Sequence, residues 1–467
     1  MVNINVCGKK GDNMKKETIC LCLGLVIAVA TMPAQSQETQ PGARVKDLEK
    51  MVQELERRVS ELEKQLSTKE VVTQPPGDLQ GRVVQVEEQV RKIEEKEKEP
   101  GTFRAYWKDT LRFETADKAF RFRIGGRIMN DWGFLSGDDQ LESAVGDLDD
   151  GAELGWARLE LSGLLYDRVE FKTQYEFAGG EPDFRNVYLA LVKLPVVGSI
   201  KVGHLKEPFG LEELTSTKHI TLMQTSLTSA FTPCWNTGIM LHDCELDERM
   251  TWAAGLFRET DFFGRGFGDG EYNVTARLTG LPWYEEEGRK LFHLGVAYSH
   301  RNPHDDTLRY RQRPEVHLAP RFADTQEFAA ETVDEVGAEA ALVLGPLSLQ
   351  GEFMYPSVSA PEGPNPSFSA FYAMASYFLT GENRAYNRSA GIFSQVKPRN
   401  NFLKNRGAGA WELAARYSHL DLNDGGIEGE ELEDVTVGLN WYLNSSVRLF
   451  SFFVLATYYR LRCYAKN

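Results

Sequence analysis

Val169-Glu170-Phe171-Lys172-Thr173-Gln174-Tyr175-Glu176-Phe177 alternates along its whole length. The odd positions, Thr173 excepted, are apolar or aromatic, and every even position is polar. Successive side chains of an extended chain point to opposite faces, so a period of two predicts a strand with one apolar and one wetted face. An amphipathic helix would place apolar residues every three or four positions, which this stretch does not do.

Working outward, the same period recurs in Phe120-Arg121-Phe122-Arg123-Ile124, in Tyr272–Leu278, in Trp411–Tyr417 and in Val435–Trp441. A strand of a soluble sandwich also alternates. Three features separate this chain from that case. The runs are about ten residues long, the length of a tilted membrane-spanning strand. Aromatic residues sit at the ends of many runs, as at a membrane interface. The connections fall into two lengths. Short turns are read at Tyr166-Asp167-Arg168, Leu246-Asp247-Glu248, Leu344-Gly345-Pro346 and Leu443-Asn444-Ser445-Ser446; long polar links are read at 136–152, 207–236, 301–333 and 380–408. Short turns on one side and long loops on the other is the asymmetry of bacterial outer-membrane barrels. The expected fold is all-β: residues 101–467 form a transmembrane antiparallel β-barrel. The runs number about fifteen, and an even count near 16 suits a closed barrel with a water-filled lumen. No long apolar helix occurs, so a closed sheet must cross the bilayer.

Before the barrel the period is different. Met14-Lys15-Lys16, the apolar stretch Ile19–Ala30 and Ala34-Gln35-Ser36 make up a secretory leader, assigned to residues 1–36. Val45, Val52, Val59 and Leu66 recur every seven residues, and Leu48, Leu55 and Leu62 follow the same step three positions on. That is the seam of a left-handed coiled coil. Pro75-Pro76-Gly77 breaks it, and Leu79, Val83, Val86, Val90 and Ile93 resume it before Pro100. An α-helical coiled-coil stalk with a Pro-rich joint is therefore expected over 45–99, in the periplasm, with the barrel in the outer membrane.

Composition sets limits on function. Net charge is −15, which argues against a nucleic-acid partner. There is no GxSxG elbow, no HExxH and no P-loop, so the expectation is a non-enzyme that needs no cofactor and no metal. Gly264–Gly270 is read as a loop tip; His300, His304, Asp305 and Asp306 as a surface cluster; Asp421–Gly426 as a Gly-containing turn. Cys234 and Cys244 either pair across a loop or stay free thiols, because spacing does not fix geometry.

Two stretches carry a resemblance. The first is Gly203-His204-Leu205-Lys206-Glu207-Pro208-Phe209-Gly210-Leu211-Glu212, continuing through Thr215-Ser216-Thr217 to Ile220-Thr221-Leu222-Met223. The second is Leu420–Ile427 with Gly438–Asn444. Both resemble the phosphate-selective porin O and P family, and the similarity covers most of residues 115–450. The resemblance implies a trimeric channel of about 16 strands that passes small anions such as phosphate, with Arg and Lys side chains lining the lumen. It also implies a further strand after the one that begins at Val447-Arg448-Leu449. The sequence after residue 449 fits a single strand, so the closing strand is read as missing or altered.

Alternation supplies the pore-lining candidates: Arg121, Arg123, Arg158, Lys172, Lys201, Arg277 and Arg416 stand on polar faces opposite apolar ones. Glu160, Glu170, Glu176 and Glu412 share those faces, so the lining is mixed, and wall salt bridges are the competing role for each cation. The leading function is passive diffusion of small anions, or of small hydrophilic solutes generally. The alternative is a structural anchor that uses the coiled coil as a cell-wall tether. Expected partners are outer-membrane lipid, the permeating solute, two further copies in a homotrimer, and the cell wall through the stalk.

Overall fold

The computed structural model describes residues 2–3, 20–27, 88, 103–403 and 407–459. Of the described residues, one compact unit holds 2–3, 20–27, 105–114 and 118 onward; the second is made up almost wholly of residues outside the described set. The heptad positions of both segments, the stretch Ala34–Ser36 and Cys463 lie outside the described residues.

After the short strands Phe103–Lys108 and Thr110–Thr115, the first unit is an antiparallel meander of fifteen long strands among the described residues. They are β1 Phe120–Gly133, β2 Gly151–Leu165, β3 Val169–Glu176, β4 Asp183–Leu194, β5 Gly198–Lys206, β6 Trp235–Glu245, β7 Met250–Arg258, β8 Asn273–Glu285, β9 Lys290–Arg301, β10 Thr332–Leu344, β11 Leu347–Ser359, β12 Ser369–Phe378, β13 Ala410–Asp424, β14 Ile427–Asn444 and β15 Val447–Tyr459. Each pairs with the next. An additional strand, Cys20–Ile27, pairs through Leu21–Ile27 with Val447–Phe453 of β15 and through Leu23–Ile27 with Ile128–Trp132 of β1. This strand falls within the apolar part of the expected leader.

The alternation seen in sequence becomes two faces of one sheet. In β9, Leu294, Val296 and Tyr298 are exposed while His293, Ala297 and Ser299 are buried. In β14, Val435 and Val437 are exposed while Asp434 and Thr436 are buried. Every long strand except β3 adds to the exposed apolar face, with Leu189 at 61 % and Val296 at 56 % exposure. A continuous apolar surface of this extent has no stable place in water and suits contact with lipid. No helix among the described residues is long and apolar enough to cross a membrane.

The sheet curls around its own connections. The loop between β9 and β10 reaches β14, where the Glu315 amide donates to Asp434 Oδ2 at 2.8 Å. Two residues later His317 Nδ1 lies 2.6 Å from Glu153 Oε1 of β2. In a flat sheet, twelve strand spacings would hold β2 and β14 about 58 Å apart. One loop tip touching both requires that the sheet fold back on itself.

Chain order fixes which connections share an end. The long ones at 134–150, 207–234, 259–272 and 302–331 lie at one end, called upper here. The tight turns at 166–168, 195–197, 246–249, 345–346 and 445–446 lie at the lower end. The link read from sequence as 380–408 is a correction: it joins β12 to β13 and therefore lies at the lower end, among the short turns. The hairpin between β13 and β14 reverses the pattern in the other sense. It turns tightly at the upper end on Gly425 and Gly426, with φ of 61° and 89°, a conformation glycine adopts without steric penalty.

The pairing of Cys234 with Cys244 that the spacing left open does not form: both are free thiols. Cys234 precedes β6 and Cys244 sits near its far end, so ten extended residues, about 33 Å of strand, separate them.

Candidate functional site

The inner face divides into two halves. Over β10 to β15 it is covered by the connections that fold inward. The upper loop 302–331 brings Tyr310, Val316, Ala319, Phe322 and Ala323 against Phe450, Phe452, Ala456 and Tyr458 in one apolar cluster. Phe452 also packs on Gly438, its cross-strand partner, where an added Cβ would meet the ring at 1.9 Å. The lower loop enters from the other end: Phe393 joins Leu211 of the upper loop 207–234 in a second cluster with Leu281 and Leu291.

Buried ion clusters pin these loops. Arg416 of β13 donates through Nε to Glu315 Oε2 at 2.9 Å, through Nη1 to Glu212 Oε1 at 2.7 Å, and through Nη2 to the Gln224 carbonyl at 2.9 Å. Its side chain is 0 % exposed, so one guanidinium ties two upper loops to the wall. Ser418 and Thr436 also donate to Glu315. Arg277 of β8 meets Glu339 at 2.5 Å, and its Nη2 donates to the Gly391 carbonyl of the lower loop at 2.9 Å. Glu207 anchors the base of loop 207–234, accepting from Asn236 at 2.7 Å and from Arg301 at 3.2 Å. Two of the seven candidate cations from sequence, Arg277 and Arg416, therefore stand among buried clamps.

The other five share the second half, β1 to β5, where side-chain exposure falls from 40 and 46 % at Arg121 and Arg123 to 23 % at Lys172 and 8 % at Arg158. Arg123 is 46 % exposed and lies 3.3 Å from Glu160; Lys172 lies 3.7 Å from the same carboxylate. Arg121 pairs with Asp167 in the lower turn. Lys201 sits 5.3 Å over the Tyr188 ring, whose hydroxyl donates to Glu170 at 2.7 Å. Arg158 pairs with Glu176 at 2.9 Å.

Toward the upper end this wall gathers guanidinium groups around two indoles. Arg127 and Arg158 lie 4.4 and 4.9 Å over Trp156, and Arg185 lies 4.8 Å over Trp235. Lys206 lies 4.5 Å over Trp235 and pairs with Glu213 of the loop at 2.5 Å. Each cation–π contact contributes about 0.5–2 kcal/mol, which offsets some of the cost of crowding like charges. A ring face leaves the in-plane N–H groups of a guanidinium unused. Arg127 Nε and Nη2, Arg158 Nη2, Arg185 Nε and Trp235 Nε1 are buried without a partner. These are five donors in one neighbourhood, and the chemistry they call for is an acceptor-rich, negatively charged guest.

Arg127 and Arg185 were not among the sequence candidates. Arg127 continues the parity of Arg121 and Arg123 across Gly125, so extending that run by four residues finds it. Arg185 stands at a register shift between β3 and β4, where alternation loses its meaning.

A curled antiparallel meander with an apolar outer face and charged, loop-narrowed interior defines an outer-membrane porin. A family model described as phosphate-selective porin O and P matches residues 122–461, and the chain belongs to that family. Among curated relatives, Porin O of Pseudomonas aeruginosa is 25 % identical over 383 residues, covering 75 % of this chain and 86 % of that one. An uncharacterised protein of Caulobacter vibrioides is 29 % identical over 350 residues, covering 72 % and 68 %. Among solved structures, the chain is similar to the anion-selective porin from Comamonas acidovorans, at 12 % identity, TM-score 0.45, and 73 % and 95 % coverage. It is also similar to the trimer form of OmpT of Vibrio cholerae, at 12 % identity, TM-score 0.41, and 73 % and 99 % coverage.

Proposed function

We propose that this porin is a passive channel for small anions and that the passage follows the β1–β5 wall. The unpartnered donors of Arg127, Arg158 and Arg185 support this reading most strongly. A hydrated cation gains nothing from buried N–H groups, whereas an oxyanion entering the cluster exchanges its water for charge-assisted hydrogen bonds. The opposite half of the interior is filled by loops, which leaves Arg121, Arg123, Arg158, Lys172 and Lys201 as the cations that meet a passing solute. Arg277 and Arg416 then hold the loops in place.

The same proposal includes a homotrimer of barrels of about 16 strands each, a leader over 1–36 that is removed, and a periplasmic stalk over 45–99. Phosphate added to chloride-filled planar bilayers tests the wall. Phosphate should lower chloride conductance in the native protein, and Arg127→Gln with Arg158→Gln should weaken that block at least about tenfold, since one charge-assisted bond contributes about 1.5–3 kcal/mol. An unchanged block in the double variant rejects the β1–β5 route.

A further inference from the structure

Toward the upper end of β13 and β14, three groups converge on the outer face of the sheet. His419 of β13 and Glu433 of β14 are register partners, and Glu431 stands two residues away along β14, on the same face. Leu413, Val435 and Val437 share that face and are exposed, so the three groups lie on the outward wall and not in the lumen. His419 Nε2 lies 3.0 Å from Glu431 Oε1. The Glu433 carboxylate is held by two phenols: Tyr417 donates to Oε1 at 2.9 Å and Tyr459 to Oε2 at 3.0 Å. Phe371 stacks on the imidazole with ring centroids 5.4 Å apart. Such a gathering of rings is what a girdle at the edge of the apolar band provides.

Alternate residues of one strand stand about 6.6 Å apart, and long side chains at a surface are free to splay. Here they do the reverse: one ligand atom from each of His419, Glu431 and Glu433 lies within 4.8 Å of the other two. Among the described residues no lysine or arginine pairs with either acid. The phenols bring hydrogen bonds without charge, and a protonated imidazole would neutralise only one of the two carboxylates. We propose that His419, Glu431 and Glu433 hold a divalent transition-metal cation of the Zn2+ type on the outer wall. Imidazole nitrogen and carboxylate oxygen are both ligands for such an ion. Around a tetrahedral centre with bonds of about 2.0–2.1 Å, neighbouring ligand atoms stand about 3.4 Å apart. Rotation about the side-chain bonds of the two glutamates brings the set to that spacing. The cation replaces the hydrogen bond between His419 and Glu431, and the two phenols orient Glu433 as partners of a ligating carboxylate do. Water fills the fourth position. The inference stands apart from the anion reading, because the site faces away from the lumen and needs none of the arginines.

Zn2+ titrated into the folded, detergent-extracted protein and followed by calorimetry tests it. Glu271, His304 and Asp305 also bring their ligand atoms together, on the upper loops, so His304→Ala serves as the background. In that background Glu431→Gln, which keeps the shape of the side chain, should weaken one Zn2+ site at least about tenfold, and His419→Gln should do the same. Zn2+ should also raise the temperature at which the His304→Ala protein loses its folded gel mobility, and should not do so once Glu431→Gln is added. Binding as tight with Glu431→Gln or His419→Gln as without them overturns the site, as does a His304→Ala protein that binds no Zn2+. If one of the two variants fails to fold, the other decides alone, since each removes a different ligand.

Discussion

Arg416 joins more of this molecule than any local pattern suggests. Its guanidinium meets Glu315, Glu212 and the Gln224 carbonyl, and all three lie on loops. Removing one member of a buried ion cluster leaves the others charged and unpaired, at a cost of about 3–5 kcal/mol. Arg416→Gln should therefore lower the unfolding temperature in detergent, read from heat-dependent gel mobility. It should also raise single-channel conductance and current noise, because both loops lose their anchor. Unchanged noise with lowered stability would mean that the apolar cluster around Phe322 and Phe450 holds the loop by itself. Alternation in Trp411–Tyr417 puts Arg416 on the inner face, but the sequence carries no sign that residues 101 and 204 positions away cover it. The same limit applies to Arg277. What decides whether an inward cation meets water is the path of a loop, and loop paths have no period to read.

At the scale of elements, strand faces were legible and loop ends were not. The run Val169–Phe177 forms β3 and its approach with the expected faces, Lys172 and Glu176 inward and Phe171 and Tyr175 outward. The link at 380–408 was assigned by length to the side of the long loops; counting strands puts it among the turns, because β13 and β14 are joined by only Gly425 and Gly426. Loop 302–331 carries its own clamp, with Arg309 donating to Asp324 Oδ1 at 2.8 Å. That hydrogen bond holds the Asp324 carboxyl below its usual range. A depressed carboxylate pKa means that the clamp's contribution is present above the ordinary pKa and is lost as pH falls through the lowered value. Hydrogen exchange at Thr325, whose N–H donates to the Tyr310 carbonyl, and at Tyr310, whose N–H donates to the Thr325 hydroxyl, should stay slow at pH 6 and speed up only well below pH 4. Acceleration already at pH 5 would mean that the protection does not depend on the Asp324 clamp. The strand Cys20–Ile27 raises a separate question. Removal of a leader over 1–36 takes this strand out from between Val447–Phe453 and Ile128–Trp132, and another strand must then cover those edges. N-terminal sequencing of membrane-extracted protein should begin at Gln37. A start upstream of Cys20 would keep Cys20–Ile27 as a wall strand.

The whole molecule sets a negative net charge of −15 against an interior whose β1–β5 wall carries arginine and lysine. Net charge alone points to cation preference. The local arrangement points the other way, and a permeating ion responds to the charges within about a Debye length, roughly 8 Å at physiological salt. The five unshared donors at Arg127, Arg158, Arg185 and Trp235 lie inside the lumen, while the outer surface is apolar over the strands. Coulomb interactions are stronger across the low-dielectric interior than through bulk water, so the inner wall dominates. The most direct test is the zero-current potential of the reconstituted channel across a tenfold gradient of potassium chloride. The account predicts a reversal potential with the sign of chloride permeating faster than potassium, reduced in Arg127→Gln with Arg158→Gln. A potential with the sign of potassium preference would contradict it.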